Sequence, residues 1–206
     1  MNHKAIDINQ RIPLDTLYAA LDSFLNGTYS DDYIMEQLTL EFKGENRLKK
    51  SLRIVNKVIQ RNPLRAFLED NKDRIKQAIK KKHDRNAILI ALLNSSFSFS
   101  FDTLQFLGKY LAVQDLVNRE TIKKSLASVY GGNRATENAI DSVIPMFIEA
   151  GLIKRPTLGV YQLNSDFHIL STIAKQVFIE SFKMNNTMDG IQEYQLRDPY
   201  FLFINN

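Results

Sequence analysis

One stretch, residues 118–163, constrains this chain more than any other: NRETIKKSLASVYGGNRATENAIDSVIPMFIEAGLIKRPTLGVYQL. Apolar residues at helical spacing predict a short amphipathic helix over 119–130. A Gly131-Gly132-Asn133 break follows, and then a longer apolar-periodic helix over 135–150 that stops at Gly151. Ile140, Val143, Ile144, Phe147 and Ile148 form its inward stripe, and Pro145 inside it should bend it by removing one backbone hydrogen bond. Leu152-Ile153-Lys154-Arg155 leads into a Pro156-Thr157-Leu158-Gly159 turn and an alternating strand, Val160-Tyr161-Gln162-Leu163. Helix, tight turn, helix, strand, turn, strand is the order of a winged helix-turn-helix, a module that commonly lays its second helix in the major groove of DNA.

The residue types along this stretch suit that use. Asn133, Arg134, Thr136, Glu137 and Asn138 stand at the start of the second helix, where unpaired backbone N–H groups and the helix dipole favour phosphate. Arginine can grip guanine O6 and N7 with two hydrogen bonds, and asparagine can do the same for adenine N6 and N7. Lys123 and Lys124 on the preceding helix are expected to face the phosphate backbone. Lys154, Arg155 and Thr157 lie in or beside the wing.

Ahead of this module the chain reads as helices. Pro13-Leu14-Asp15 opens the first, which closes at Asn26-Gly27. Ser30-Asp31-Asp32 offers N-caps for the second, over 33–42. The third, over 47–61, repeats Leu48, Leu52, Val55 and Ile59, which should be buried, and carries Arg47, Lys49, Lys50, Arg53, Lys57 and Arg61 on its other side. The short turn at residues 43–46 makes the second and third helices another helix-turn-helix candidate, with the basic helix in the recognition position. A solvated face of an ordinary helical bundle would look the same. Residues 63–82 predict one or two more helices, and 84–93 a strongly apolar one. Ser95 to Phe101 alternates serine and phenylalanine, and is expected to be a loop or helix entry that plants aromatic rings in the core. After the wing come a helix over 169–182 and a terminal strand over 193–204, whose Tyr194-Gln195-Leu196 echoes the wing's Tyr161-Gln162-Leu163.

Charge is distributed unevenly. Residues 43–85 hold 15 Lys/Arg against 5 Asp/Glu, a net of +10 within a chain of net +4. Such an asymmetry suits a polyanion as partner. With no cysteine and with His3, His83 and His168 far apart in sequence, neither a disulfide framework nor a metal site is expected. Gly131-Gly132-Asn133 is not followed by the Gly-Lys-Ser/Thr of a phosphate-binding loop, and no Gly-x-Ser-x-Gly elbow occurs. No cofactor and no enzymatic activity are expected. The N-terminal residues lack the apolar core of a signal peptide, and the longest apolar run, 87–93, falls far short of the roughly 20 residues that span a bilayer. A cytoplasmic protein without a membrane partner is expected.

The order of parts resembles a known family. Phe24-Leu25-Asn26-Gly27 ends the first helix; a helix over 33–42 and the basic helix over 47–61 follow; 87–93 supplies a leucine-rich central helix; and Phe147-Ile148-Glu149-Ala150-Gly151-Leu152-Ile153 sits in a winged C-terminal half. In this layout, from Thr16 to Ile153, the chain resembles the BrxA family, accessory proteins of BREX phage-defence systems. The Ser/Phe-rich centre and residues 169–206 lie outside the resemblance. It implies a non-enzymatic, helix-turn-helix DNA-binding protein of a defence system.

The expected architecture is mainly α. A helix-turn-helix-like helical bundle (residues 1–83) is joined to a winged helix-turn-helix with a small β-wing and a terminal helix and strand (84–206). The expected partner is double-stranded DNA, bound largely through phosphates. Two alternatives stay open: a winged-helix adaptor that docks another defence subunit, and a transcriptional regulator acting as a homodimer.

Overall fold

Helix α6 (Lys82–Ser96) is buried along almost its whole circumference, from Asn86 to Asn94. A helix apolar all round must lie inside the fold, and the run Ala87-Ile88-Leu89-Ile90-Ala91-Leu92-Leu93 puts it there. The computed structural model describes residues 3–204. The fold is mainly helical, with a small three-stranded antiparallel sheet. Around α6 stand α1 (Leu14–Asn26) and α3 (Glu45–Val58) from the first part of the chain, and α7 (Ser98–Leu111), α9 (Arg134–Ala150) and α10 (Thr172–Asn186) from the second. Between them in sequence lie α2 (Asp31–Thr39), α4 (Arg65–Asp70), α5 (Lys72–Ala78) and α8 (Arg119–Tyr130). One hydrophobic cluster runs from Ile8 to Ile204. Among the described residues, no helix is long and apolar enough to cross a membrane.

The chain does not begin at α1. Residues 3–13 form an extended strap without regular secondary structure, and it ties four helices together. Lys4 N–H donates to Val129 O at the end of α8, and its ammonium meets Asp102 of α7 at 2.8 Å. Asp7 accepts from Ser98 N–H and Phe99 N–H, capping α7. Ile8 and Ile12 are buried, Gln10 bonds Ser51 of α3, and Arg11 meets Glu149 of α9 at 2.6 Å.

The sheet is formed by β1 (Val117–Asn118), β2 (Ile153–Thr157) and β3 (Val160–Leu163), in the order β1-β3-β2. Val117 pairs with Tyr161 and Asn118 with Val160, so β1 fixes the hairpin to the start of α8. A two-residue stretch such as β1 carries no period to read, and it was not expected from sequence.

Two expectations fail. The terminal strand over 193–204 is instead a pair of short 3-10 helices, Glu193–Arg197 and Pro199–Phe203. Its echo of the wing does not mark a strand, and the adjacent Tyr200 and Phe201, with Phe203, are all buried. The rings of Phe101, Phe178 and Phe182 surround Tyr200, whose hydroxyl bonds Asn94 and Ser181. The segment therefore packs on α7, not beside the hairpin. Gly108 permits this close approach, since a Cβ there would sit 2.0 Å from Pro199 O. Helix α3 is also rotated from the expected register: Ser51, Ile54, Val55, Val58 and Ile59 are buried, whereas Leu48 and Leu52 lie only partly covered. The small Ser51 turns inward, where its hydroxyl accepts from the Gln10 amide of the strap.

Candidate nucleic-acid interface

The turn between α8 and α9 is built by its own side chains. Asn133 Oδ1 accepts from Ala135 N–H at 2.9 Å and Thr136 N–H at 3.1 Å, so it caps α9. The Thr136 hydroxyl donates to Gly131 O, and Thr136 is 1% exposed. Thr136 was expected to touch DNA. It is instead a strut of the turn, and no ligand outside the fold can reach it. Asn133 is exposed, but its carbonyl oxygen is spent on the cap, which leaves only its amide N–H groups for a partner.

The outer face of α9 carries Arg134, Glu137, Asn138 and Asp141. Both acids are engaged across the helix pair. Lys123 of α8 bonds Glu137, and Arg119 Nη2 donates to Asp141 Oδ1 at 2.8 Å. The bond from Lys123 holds the Glu137 carboxyl below the usual glutamate range, and the same bond raises Lys123. The Asp141 bond likewise raises Arg119. Lys123 is thus committed, while Lys124 is exposed. Among the described residues, Lys124, Arg134 and Asn138 make no side-chain hydrogen bond or ion pair.

The hairpin extends this face. Arg119 N–H donates to Gly159 O at 2.7 Å, which anchors the turn to α8. Arg155 and Thr157 on β2 are exposed and without side-chain partners among the described residues, whereas Lys154 is tied to Asp166 at 2.7 Å. Between α9 and the hairpin lies a shallow groove of about 180 Å³, lined by Ile144, Pro145, Ile148, Leu158 and Tyr161, with Arg119, Asp141 and Arg155 beside it. Helix α9 continues through Pro145.

The basic helix α3 forms a separate face. Arg47, Lys49, Arg53 and Lys57 are exposed as expected, and Lys50 is partly covered, its ammonium 3.5 Å from Asn9 O. Several of these cations already have intramolecular company. Arg47 lies over the Phe42 ring at 4.6 Å, Lys57 over Phe97 at 4.3 Å, and Lys49 pairs with Glu45. Helices α3 and α9 both pack on α1 and α6, and the strap links them, with Asn9 O near Lys50 of α3 and Arg11 on Glu149 of α9.

The pairs Arg119–Asp141 and Lys123–Glu137 escaped the sequence reading, because partners 22 and 14 positions apart on different helices leave no local pattern. Two histidines distant in sequence also meet: His168 N–H donates to His83 Nδ1 at 3.2 Å. No group of three or more His, Asp or Glu side chains is placed to hold a metal ion among the described residues. Comparison with protein-family models, curated proteins and solved structures finds no match for the chain.

Proposed function

We propose that this protein is a non-enzymatic double-stranded DNA-binding protein that works through a winged helix-turn-helix. One observation carries the reading. The element order α7-β1-α8-α9-β2-β3, closed by a sheet of order β1-β3-β2, supports a winged-helix reading, and under it the donors left without partners on α8, α9 and the hairpin would lie toward the DNA. Helix α9 takes the recognition position, with Arg134 and Asn138 facing base edges or phosphates. Lys124, Arg155 and Thr157 contact the flanking backbone, and the α3 cations add sequence-independent charge. The resemblance to the BrxA family adds the setting: a defence system of the BREX kind, with other subunits of that system as further partners.

Fluorescence anisotropy on a random-sequence duplex at several salt concentrations tests this. If about five phosphates are neutralised, log K should fall against log salt with a slope of roughly −4 to −5. Arg134→Ala combined with Asn138→Ala should weaken binding without unfolding the protein, since both side chains are exposed, with each lost contact worth about 1–3 kcal/mol. Absence of binding at low salt refutes the proposal.

The apolar groove beside α9 favours a second reading, an adaptor that docks a protein partner on the same face. The double substitution separates the two, because an adaptor's pull-down of a defence subunit would survive a loss that abolishes DNA binding.

A further inference from the structure

The tip of the β2–β3 hairpin carries a leucine held out into solvent. Leu158 is 84% exposed, at the first position of a two-residue connection between Thr157 and Val160. Gly159 follows at φ 75°, a conformation in which a side chain would be strained, so the turn is tight and its shape is fixed. Three attachments hold the tip still: the Arg119 N–H bond to Gly159 O, the pairing of Asn118 with Val160, and the pairing of Thr157 with Val160. A mobile loop can fold an apolar residue away from water. This one cannot.

The surroundings of Leu158 are cationic. Residues 154–159 contain Lys154 and Arg155 and no acid. Carboxylates on the same face are occupied, Asp141 by Arg119, Glu120 by Arg119 and Lys123, and Asp166 by Lys154, while Arg155 has no ion-pair partner among the described residues. A protein partner could cover the apolar side of such a tip, but it would gain nothing from the cations beside it. The minor groove of DNA suits both: it is about 6 Å wide, its potential is negative, and the base faces exposed where a step parts are apolar. Proteins that bind there combine arginine with apolar wedges that part a base step and kink the duplex.

We infer that the hairpin tip enters the minor groove, with Arg155 lying along the groove and Leu158 wedging into a base step, so that the protein bends the DNA it binds. This rests on the DNA-binding reading above. It adds a preference that α9 does not need to supply. Flexible pyrimidine–purine steps, TA above all, yield to a wedge more readily than stiff ones, so sites with such a step beside the α9 contact should be favoured without any direct reading of their bases.

The test uses the whole protein and end-labelled duplexes of about 30 base pairs, one set with a TA step replaced by GC. Energy transfer between the ends reports bending, and 2-aminopurine placed at the step reports unstacking. Wild-type protein should raise both signals on the TA duplex and bind it roughly tenfold more tightly than the GC duplex. Leu158→Ser should still bind DNA but lose both signals and most of that preference, while Leu158→Met, which keeps an apolar tip, should retain them. Leu158 touches so little of the fold that its replacement leaves folding intact, which a thermal melt verifies. Binding without bending, or bending that survives Leu158→Ser, overturns the wedge and leaves DNA binding standing; the tip then belongs to a protein contact. Failure of wild-type protein to bind any duplex overturns both.

Discussion

Removing acids from the α9 face gives the sharpest prediction, because it asks for a gain. Around α8, α9 and the hairpin, Arg119, Lys123, Lys124, Arg134, Lys154 and Arg155 stand against Glu120, Glu137, Asp141 and Asp166, a net of +2. Glu137→Gln with Asp141→Asn raises that to +4 and leaves Arg119 and Lys123 only their looser contacts to Glu120, at 3.6 and 3.9 Å. If both freed cations then meet phosphates, the salt slope should steepen by about 1.8. At about 0.1 M salt, two further phosphates correspond to roughly 60-fold tighter binding, taking the electrostatic contribution to vanish near 1 M. Asp141 is exposed and Glu137 half-exposed, and ion pairs at the surface hold little stability, so the melting temperature should scarcely move. Anisotropy titrations of wild type and variant across a salt series measure both quantities. A variant that binds no more tightly, with an unchanged slope, refutes the placement of DNA along α9. Weaker binding would mean that the two acids themselves touch the ligand, as carboxylates do when they accept from cytosine N4.

Other expectations concern the scaffold and its titration. Gly108→Ala should destabilise the protein by about 1–3 kcal/mol or more in denaturant unfolding, because the added Cβ meets the Pro199 carbonyl at 2.0 Å and the backbone must move. Asp84 is fully buried, and its Oδ1 accepts from Leu170 N–H and Ser171 N–H while Oδ2 has no hydrogen-bond partner. Asp84→Ala should therefore cost about 1–3 kcal/mol by orphaning both donors, whereas Asp84→Asn keeps an acceptor, removes a buried charge and should cost less; the reverse order by chemical denaturation would refute this. The folded-state pKa of Glu137 is depressed, so the stability its pair contributes is present above the ordinary glutamate value and is lost as pH falls through the lower folded value. Lys123→Ala should let the Glu137 carboxyl titrate at a higher pH, observable by NMR, and an unmoved titration would show that Lys123 is not the cause.

Much of the fold was written in local pattern. The α8–turn–α9 pair and the hairpin carry 3.6 and 2.0 periodicities broken by glycine and proline, so their existence and order were legible. The strap and the C-terminal 3-10 pair were not, because both owe their shape to distant partners. Residues 3–13 have no internal hydrogen-bonding period; they are held by Val129, Ser98, Ser51 and Glu149. The final segment echoes the wing strand in Tyr194-Gln195-Leu196, and Gly108, distant in sequence, is what lets its backbone lie against α7.

The candidate site shows the same division, with a consequence for how charge should be read. Counting residues 43–85 gave +10, yet Lys49 and Arg65 pair with glutamates one helical turn away, and Arg47 and Lys57 lie over aromatic rings. These cations remain charged, but a phosphate must compete with contacts they already make. The α9 face, unremarkable in composition, holds acids that only their spatial partners neutralise. A helix that presents two paired carboxylates between Arg134 and the hairpin repels phosphate wherever those pairs open. Binding should therefore be strongest where Arg119 and Lys123 can serve Asp141, Glu137 and the DNA backbone at once. That geometry requires the duplex to lie along both α8 and α9, and it makes the start of α8, together with Arg134 and Asn138, the part of the surface on which the DNA-binding proposal stands or falls.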